Sequence, residues 1–315
     1  MQLKASYGGV YDGDEGVLTI GHNAGFFSNC TVALWNLAEV RRAAGVWPRK
    51  LSFANAFSSY RDAAQVEGKD DLYPLYFEAG DEAAFRRLPG SLAKVNHHGF
   101  YRLIDHSGLK AVMDAYFQPS EKALAIQRQL VSKYGIDLQR TIAVIYRGTD
   151  KVIEVDIASP RAYLAVAERL LSQHPGYRVW IQTDEASVRD LFLAHFGDKC
   201  FALDEMPVSG GSVAVHDMAD DALRMSRADF GVLLVAVTNL LSQTALLVNH
   251  TGNLGLWACL WRGHSKGLVQ FDRSGRVVEF ASPGFWFAQA VHLLTRVRRK
   301  LGVAASGQNP GQGRS

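Results

Sequence analysis

Three short runs of charged and polar residues, each directly after an apolar run, are the residues of this sequence best suited to chemistry. If the apolar runs are parallel strands, the three loops meet at one edge of the sheet, where ligands bind in open α/β sheets. An arginine fork, a lysine charge and the backbone N–H groups of a helix amino terminus would there bind the oxygens of a diphosphate. The loops are Arg147-Gly148-Thr149-Asp150-Lys151, Thr183-Asp184-Glu185 and Asn249-His250-Thr251-Gly252-Asn253.

Each loop also has an ordinary structural interpretation. Arg147 and Asp150 could form a surface ion pair at the end of a strand. Asp184 and Glu185 could be the N-cap of the helix that follows, a role that suits Asp184 well. For any one loop the two interpretations are about equally good. Three such loops at one edge favour a binding site.

The elements that must position these loops alternate regularly from Thr141 onward. This alternation predicts a doubly wound parallel sheet. The apolar run 230–241 is interrupted by Thr238 and Asn239 and predicts a buried helix rather than a membrane span. The predicted strands are 142–145, 178–183, 200–203 and 245–249, and the predicted helices are 160–173, 185–196, 219–243 and 252–261.

The first half of the sequence begins with a strand at 17–20, a glycine-bearing turn at 21–25 and a helix that Ser28 or Asn29 could cap. A strand, a glycine turn and a helix amino terminus can bind an anion, and they can equally be a tight turn with buried aromatic residues. A second strand is expected at 51–57. A long helix is expected from its cap Ser120 to Gly135.

Four residues of metal-ligand type, His97, His98, Asp105 and His106, lie within the segment 96–116. Adjacent histidines on a strand point to opposite faces, whereas a metal needs its ligands on one side. A surface loop is therefore the preferred interpretation of this segment.

Composition restricts the class of protein further. The net charge of +3, from 34 basic and 31 acidic residues, is too small to indicate a nucleic-acid partner. Three widely spaced cysteines indicate neither a disulfide framework nor a zinc site. The sequence contains no apolar signal-peptide region and no run long enough to span a membrane, so we expect a cytoplasmic protein, with peripheral contact at the inner membrane face as an alternative.

The first loop resembles the signature of a known enzyme family. Tyr146-Arg147-Gly148-Thr149-Asp150-Lys151 is similar to the His-x-Arg-Arg-Thr-Asp-Lys motif of the alpha-1,6-fucosyltransferases and nodulation-factor fucosyltransferases, within the wider fucosyltransferase superfamily. Residues 179–185 resemble the family's second motif, an apolar strand followed by Thr-Asp-Asp, and residues 241–253 resemble its third. The resemblance covers residues 142–262 and extends loosely to the first 140 residues through 23–30 and 116–120.

The resemblance implies a GT-B fold, in which two Rossmann-like domains face a cleft and the nucleotide sugar binds to the second domain. It also implies an inverting, metal-independent glycosyltransferase with no cofactor beyond its nucleotide-sugar co-substrate. Arg147 would hold the donor diphosphate. Glu154 falls near a family glutamate that serves around the acceptor hydroxyl, and Tyr163 falls near an aromatic residue of the donor site.

Four positions depart from the family pattern. The first motif's histidine and second arginine are Ile145 and Gly148 here, the second motif's second aspartate is Glu185, and Val237 stands where a guanine-binding aspartate is common. The residues that would bind phosphate are thus better matched than those that would recognise the base. A GDP-sugar is implied by the resemblance and not by these residues.

We therefore expect a glycosyltransferase that transfers a sugar, fucose from GDP-fucose by resemblance, to a glycan or glycolipid hydroxyl. The alternatives are a non-catalytic protein that binds nucleotide sugars or glycans, and a GT-B enzyme with another donor. The expected catalytic residues are Arg147, Glu154 and Asp150. The expected donor-binding residues are Arg147, Lys151, Tyr163, Thr183, Asp184, Glu185, Thr251, Gly252 and Asn253, and the acceptor-side or phosphate-binding turn is Asn23, Gly25 and Phe26.

The same hypothesis divides the chain into four parts. Residues 1–138 form a Rossmann-like acceptor-side domain and residues 139–284 the nucleotide-sugar domain. Residues 285–301 form a basic amphipathic helix that packs back on the first domain or lies against an anionic membrane. Residues 302–315 form a disordered tail.

Overall fold

The computed structural model describes residues 2–148, 158–210, 215, 218, 220–272 and 274–278. Its first sheet has four strands, in the order in which they occur in the chain. They are β1 (Gln2–Lys4), β2 (Gly9–Asp12), β3 (Val17–Ile20) and β4 (Lys50–Ser52). Helix α1 (Phe26–Ala44) joins β3 to β4.

This first sheet differs from the Rossmann-like arrangement expected for the first domain. Strands β1, β2 and β3 are antiparallel neighbours, and only β3 and β4 are parallel. The physical reason is the length of the connections, because four-residue turns can join only antiparallel strands, whereas parallel strands need a crossover such as α1.

Short helices and strands connect the two sheets. They are α2 (Tyr73–Tyr76), β5 (Phe77–Glu78), α3 (Glu82–Arg86), α4 (His106–Tyr116), β6 (Gln118–Pro119) and α5 (Glu121–Tyr134). The predicted caps of α5 are confirmed, since the Ser120 side chain accepts from the Ala123 N–H and Gly135 is left-handed at φ 56°. The strand predicted at 51–57 ends at Ser52, because the chain turns directly after it, where the Ala56 N–H donates to the Phe53 carbonyl at 3.2 Å.

The second sheet contains five parallel strands in the order β11, β10, β7, β8, β9. This confirms the predicted parallel sheet. Its strands are β7 (Thr141–Tyr146), β8 (Arg178–Thr183), β9 (Cys200–Phe201), β10 (Leu246–His250) and β11 (Leu268–Phe271), and a two-residue strand, β12 (Val277–Val278), follows. The helices are α6 (Pro160–Gln173), α7 (Ala186–Phe196), α8 (Asp220–Leu223), α9 (Arg227–Ser242) and α10 (Asn253–Arg262).

The single helix predicted over 219–243 is wrong, because two helices, α8 and α9, occupy this range. Arg224 takes a left-handed φ of 58°, which interrupts the helical backbone. A new helix then begins after Ser226, whose side chain accepts from the Asp229 N–H at 3.1 Å.

The two faces of the second sheet belong to different hydrophobic clusters. Ile145 and Trp180 face a cluster that also contains residues of α1, α9, α10 and the first sheet. Val144 and Ile181 face the cluster formed with α6 and α7. This alternation follows from the two-residue period of a strand. The boundary proposed between residues 138 and 139 stays a prediction.

The remaining expectations concern the end of the chain and membranes. The predicted helix 285–301 and the tail 302–315 lie outside the described residues. In the part of the chain that the structure describes, every helix is too short or too polar to cross a membrane.

Candidate functional site

A cavity of about 270 Å³ lies at the carboxyl ends of β7 and β8. Helices α9 and α10 and the amino terminus of α1 complete its walls. The structure thus brings together four of the predicted segments, namely the turn before α1 and the loops after β7, β8 and β10. The predicted site residues that line it are Gly25, Phe26, Arg147, Thr183, Asp184 and Asn253.

Arg147 and Asp184 form the charged part of this cavity. Their closest ion-pair atoms, Nε and Oδ2, are 3.6 Å apart, and their side chains are 30% and 16% exposed. The second carboxylate oxygen of Asp184 accepts from the Gly148 N–H at 3.2 Å. Asp184 therefore holds the loop after β7 against the end of β8.

The alternative role of Asp184 as a helix cap is wrong. The residue at the N-cap of α7 is Glu185, and its side chain makes no capping bond. The Glu185 N–H instead donates to the Thr183 hydroxyl at 3.1 Å. Asp184 instead contacts the loop after β7, through Arg147 and the Gly148 N–H.

Glu185 occupies the space that a side chain at position 148 would need. A Cβ atom built on Gly148 would lie 1.7 Å from Glu185 Oε1. Glycine at 148 and glutamate at 185 are therefore sterically coupled, and these are two of the positions that depart from the family motifs.

Burial and the neighbouring carboxylates also raise the pKa values of Glu185 and Tyr146. Burial, together with the charge of Asp184, raises the pKa of Glu185 above its ordinary value. Burial, followed by the charges of Glu185 and Asp184, raises the pKa of Tyr146 to about 12. The Tyr146 hydroxyl, on a residue that lines the cavity, is thus neutral near pH 7 and can donate a hydrogen bond.

We predict that Glu185→Gln stabilises the unliganded protein in a pH-dependent way. A carboxyl group with a raised folded-state pKa is penalised when it ionises, so the amide should raise the unfolding midpoint near pH 7. Below about pH 4 the carboxyl is protonated in both states, and the gain should disappear. Thermal unfolding between pH 3.5 and 8 measures this. The exposed Glu82→Gln is the control, and a gain that is independent of pH would contradict the prediction.

The amino terminus of α10 forms a second, smaller part of the site. A crevice of about 20 Å³ next to the main cavity is lined by Arg147, Thr251, Gly252 and Asn253, among others. Thr251 is 2% exposed, and its hydroxyl has no hydrogen-bond partner among the described residues. A buried hydroxyl beside a ten-residue helix amino terminus and an arginine suits an anionic ligand.

Two tertiary contacts fix this helix terminus. The Gly252 N–H donates to the Tyr101 hydroxyl at 2.5 Å. Thr31 Oγ1, on α1, lies 2.9 Å from Asn253 Oδ1 and accepts from Trp257 Nε1 at 2.9 Å. The contacts of Thr31 tie α10 to α1, which also contributes to the cavity lining.

The amino terminus of α1 differs from the prediction. The helix begins at Phe26 with Gly25 at the N-cap, so neither Ser28 nor Asn29 is the cap. Asn29 instead folds back and bonds both the N–H and the carbonyl of Ala24, which fixes the turn. Asn23 does not line the cavity, because its side chain bonds the Ser58 N–H and Glu67.

Several predicted site residues are not at the cavity or cannot be placed. Tyr163 is fully buried on the other face of the sheet, where its ring stacks on Phe271 at a centroid distance of 4.0 Å. The structure therefore does not bring it to the cavity. Asp150, Lys151 and Glu154 lie outside the described residues.

Sequence reasoning missed other residues that line the cavity. They include Tyr60, His97, Gln182 and Phe230. His97 was assigned to a surface loop, and a lone histidine in an irregular segment carries no periodic signal. Gln182 offered one signal, since it is polar within an otherwise apolar strand. Among the described residues, no group of three or more histidine, cysteine or acidic side chains could hold a metal ion.

Comparison with solved structures relates the fold to one class of enzyme. The fucosyltransferase NodZ from Bradyrhizobium matches over 83% of this chain and 97% of its own, with a TM-score of 0.50 and 12% identity. NodZ alpha-1,6-fucosyltransferase co-crystallized with GDP matches at a TM-score of 0.37 and 15% identity, over 56% of this chain and 52% of that one. The same enzyme soaked with GDP-fucose matches at a TM-score of 0.38 and 16% identity, over 57% of this chain and 54% of that one.

The chain therefore spans about half the length of these last two structures. No protein-family model and no curated protein matches the sequence. The similarity to the Bradyrhizobium enzyme shows a fucosyltransferase-like fold of mixed α/β type with a parallel sheet, as the motifs implied. The arrangement of two domains around a cleft stays a prediction.

Proposed function

We propose that the protein is a glycosyltransferase that binds a nucleotide-sugar donor in the cavity at the carboxyl ends of β7 and β8. The observation that carries this proposal is that one cavity joins Arg147, Asp184, the amino terminus of α10 and an aromatic wall. The motif resemblance and the fold favour GDP-fucose as donor. A glycan or glycolipid hydroxyl is the proposed acceptor.

The donor diphosphate is assigned to the space between Arg147 and α10. The guanidinium has a fixed set of N–H donors that suits phosphate oxygens, and Asp184 orients it from the neighbouring strand. The Thr251 hydroxyl and the free backbone N–H groups at the start of α10 add donors and a positive dipole end. The rings of Tyr60 and Phe230, 6.0 Å apart and stacked, line the same cavity.

The proposed reaction is a single displacement. The acceptor hydroxyl oxygen bonds to the anomeric carbon while the bond from that carbon to the diphosphate oxygen breaks and leaves its electron pair on the diphosphate. The hydroxyl proton passes to a carboxylate, for which Glu154 and Asp150 are the candidates. Arg147 stabilises the charge that develops on the leaving group, and attack from the opposite side inverts the anomeric configuration.

Calorimetric titration followed by a product assay tests this proposal. Wild-type protein is titrated with GDP, UDP and ADP, and then incubated with GDP-fucose and other nucleotide sugars in the presence of glycan acceptors. The proposal expects saturable binding of a nucleoside diphosphate and formation of a new glycoside. Absence of both would overturn it.

We predict that transfer does not depend on a divalent metal, because Arg147 and the start of α10 would balance the charge of the diphosphate. After incubation with EDTA and gel filtration, the turnover number should stay within about twofold of the untreated value. Loss of activity that Mg²⁺ or Mn²⁺ restores would show that a metal carries this charge instead. Comparing the treated with the untreated protein also controls for metal that is carried through the preparation.

A protein that binds a nucleotide sugar or glycan without catalysis is the second candidate. It is favoured by one observation, since the carboxylate of Glu185 occupies the space where the family motif has its second arginine. Binding of a nucleotide sugar without its hydrolysis or transfer would select this function.

A further inference from the structure

Gln182, near the end of β8, is a buried side chain that faces the cavity. The residue is 6% exposed and belongs to the cavity lining. It lies two residues after Trp180, and alternate residues of a strand share a face, so its side chain points to the side of the sheet that carries α9. Its partner across the parallel ladder is Ile145, another lining residue.

The surroundings of the Gln182 carboxamide are largely apolar. Ile145, Met206, Phe230 and Leu234 line the same cavity, and all four belong to the first hydrophobic cluster. Within the described part of the chain the carboxamide makes no hydrogen bond, and it is not one of the fully enclosed polar groups that lack a partner, so a ligand in the cavity can reach it.

The other two buried glutamines behave differently. Gln127 donates to Asn239 Oδ1 at 3.0 Å. Gln270 accepts from the Tyr101 N–H and donates to the Gly99 carbonyl, both at 2.9 Å. A carboxamide that lines the cavity and makes no hydrogen bond within the described residues can bond a ligand that enters there.

We propose that Gln182 is a specificity-determining residue whose carboxamide hydrogen-bonds the nucleobase of the donor. This inference rests on the proposed function. A carboxamide offers one acceptor and two donors in one plane, which matches the adjacent donor and acceptor atoms on the edge of a base. The stacked rings of Tyr60 and Phe230 provide an aromatic surface for a planar ring in the same cavity.

The position of Gln182 relative to the phosphate-binding residues supports a base. Gln182 precedes Asp184 by two residues, which places it about 7 Å further along the strand from the Arg147–Asp184 pair. A group linked to the diphosphate can thus reach it while Arg147 holds the phosphates.

Gln182→Leu removes the carboxamide and keeps much of the volume. Calorimetric titrations of wild type and variant with GDP, UDP, ADP and inorganic pyrophosphate measure its effect. We expect the affinity for the preferred nucleoside diphosphate to fall roughly ten- to a hundredfold, the preference among bases to weaken, and the affinity for pyrophosphate to stay the same. The melting temperature of the unliganded variant should stay close to that of wild type, because the substitution breaks no hydrogen bond within the described residues.

Gln270→Leu is the matched control, because it breaks two hydrogen bonds of a buried glutamine and should lower the melting temperature. Unchanged affinity and base preference in Gln182→Leu, or a melting temperature that falls as in the control, would overturn the inference while leaving the proposed function intact. A loss of affinity confined to nucleotide sugars would assign the carboxamide to the sugar and so reject the base. Failure of wild type to bind any nucleoside diphosphate would reject the proposed function and this inference together.

Discussion

Replacing Arg147 by alanine should lower the rate of sugar transfer by roughly a hundred- to a thousandfold, the cost of removing one preorganised donor to a developing anion. The side chain is 30% exposed and lies at the cavity, so the fold should survive the change. Steady-state kinetics with saturating donor measure the effect on turnover, and circular dichroism checks the fold. Weaker binding of the nucleoside diphosphate should accompany the loss.

Two further variants define the role of Arg147. Lysine at this position should restore little activity, because an ammonium is a point charge that cannot donate from a planar fork. Arg128→Ala, which breaks an exposed ion pair with Glu121, should leave turnover unchanged. Wild-type turnover in Arg147→Ala would exclude the assigned role.

Replacing Trp257 by alanine should lower the free energy of unfolding by about 3–5 kcal/mol, the range for large aromatic side chains in a core. Trp257 is fully buried on α10, and its ring lies 4.9 Å from that of Phe117 and 5.7 Å from that of Phe27. Its Nε1 donates to Thr31, so the substitution also removes one of the hydrogen bonds between α10 and α1. Urea unfolding followed by circular dichroism measures the change.

The Trp257 variant should also weaken nucleotide binding, because α10 and α1 both contribute to the cavity lining. Trp257→Phe keeps most of the ring and should lose much less stability. Leu191→Ala, at a 37% exposed position of α7, is the surface control. A Trp257→Ala protein with the urea midpoint of the control would show that this tryptophan does not connect the two helices.

The parallel sheet could be predicted from the sequence because its signals are local and strong. The boundaries of α6 and β8 follow from Pro160, the apolar periodicity and the charged residues after Thr183. Once the strands are parallel, the geometry of the sheet brings the loops after β7, β8 and β10 to one edge. For that reason most of the predicted site residues with described positions line the cavity or the crevice next to it.

The structure differs from the predictions at residues whose sequence context is compatible with two positions in the fold. Asp184 before a helix is compatible with a cap and with a contact to the next loop, and only the position of Gly148 decides between them. Tyr163 on an amphipathic helix could face either side of the sheet. The environment of Gln182 depends on Phe230 and Met206, which are distant in sequence, so its position in the cavity could not be inferred from strand β8 alone.

The measurement that tests the central claim most directly is a crystal structure of the protein with a bound nucleoside diphosphate. The account predicts that the diphosphate lies at the amino terminus of α10, with its oxygens within hydrogen-bonding distance of the Arg147 guanidinium and the Thr251 hydroxyl. A nucleotide bound outside this cavity, or bound within it with no contact to Arg147, would contradict the account.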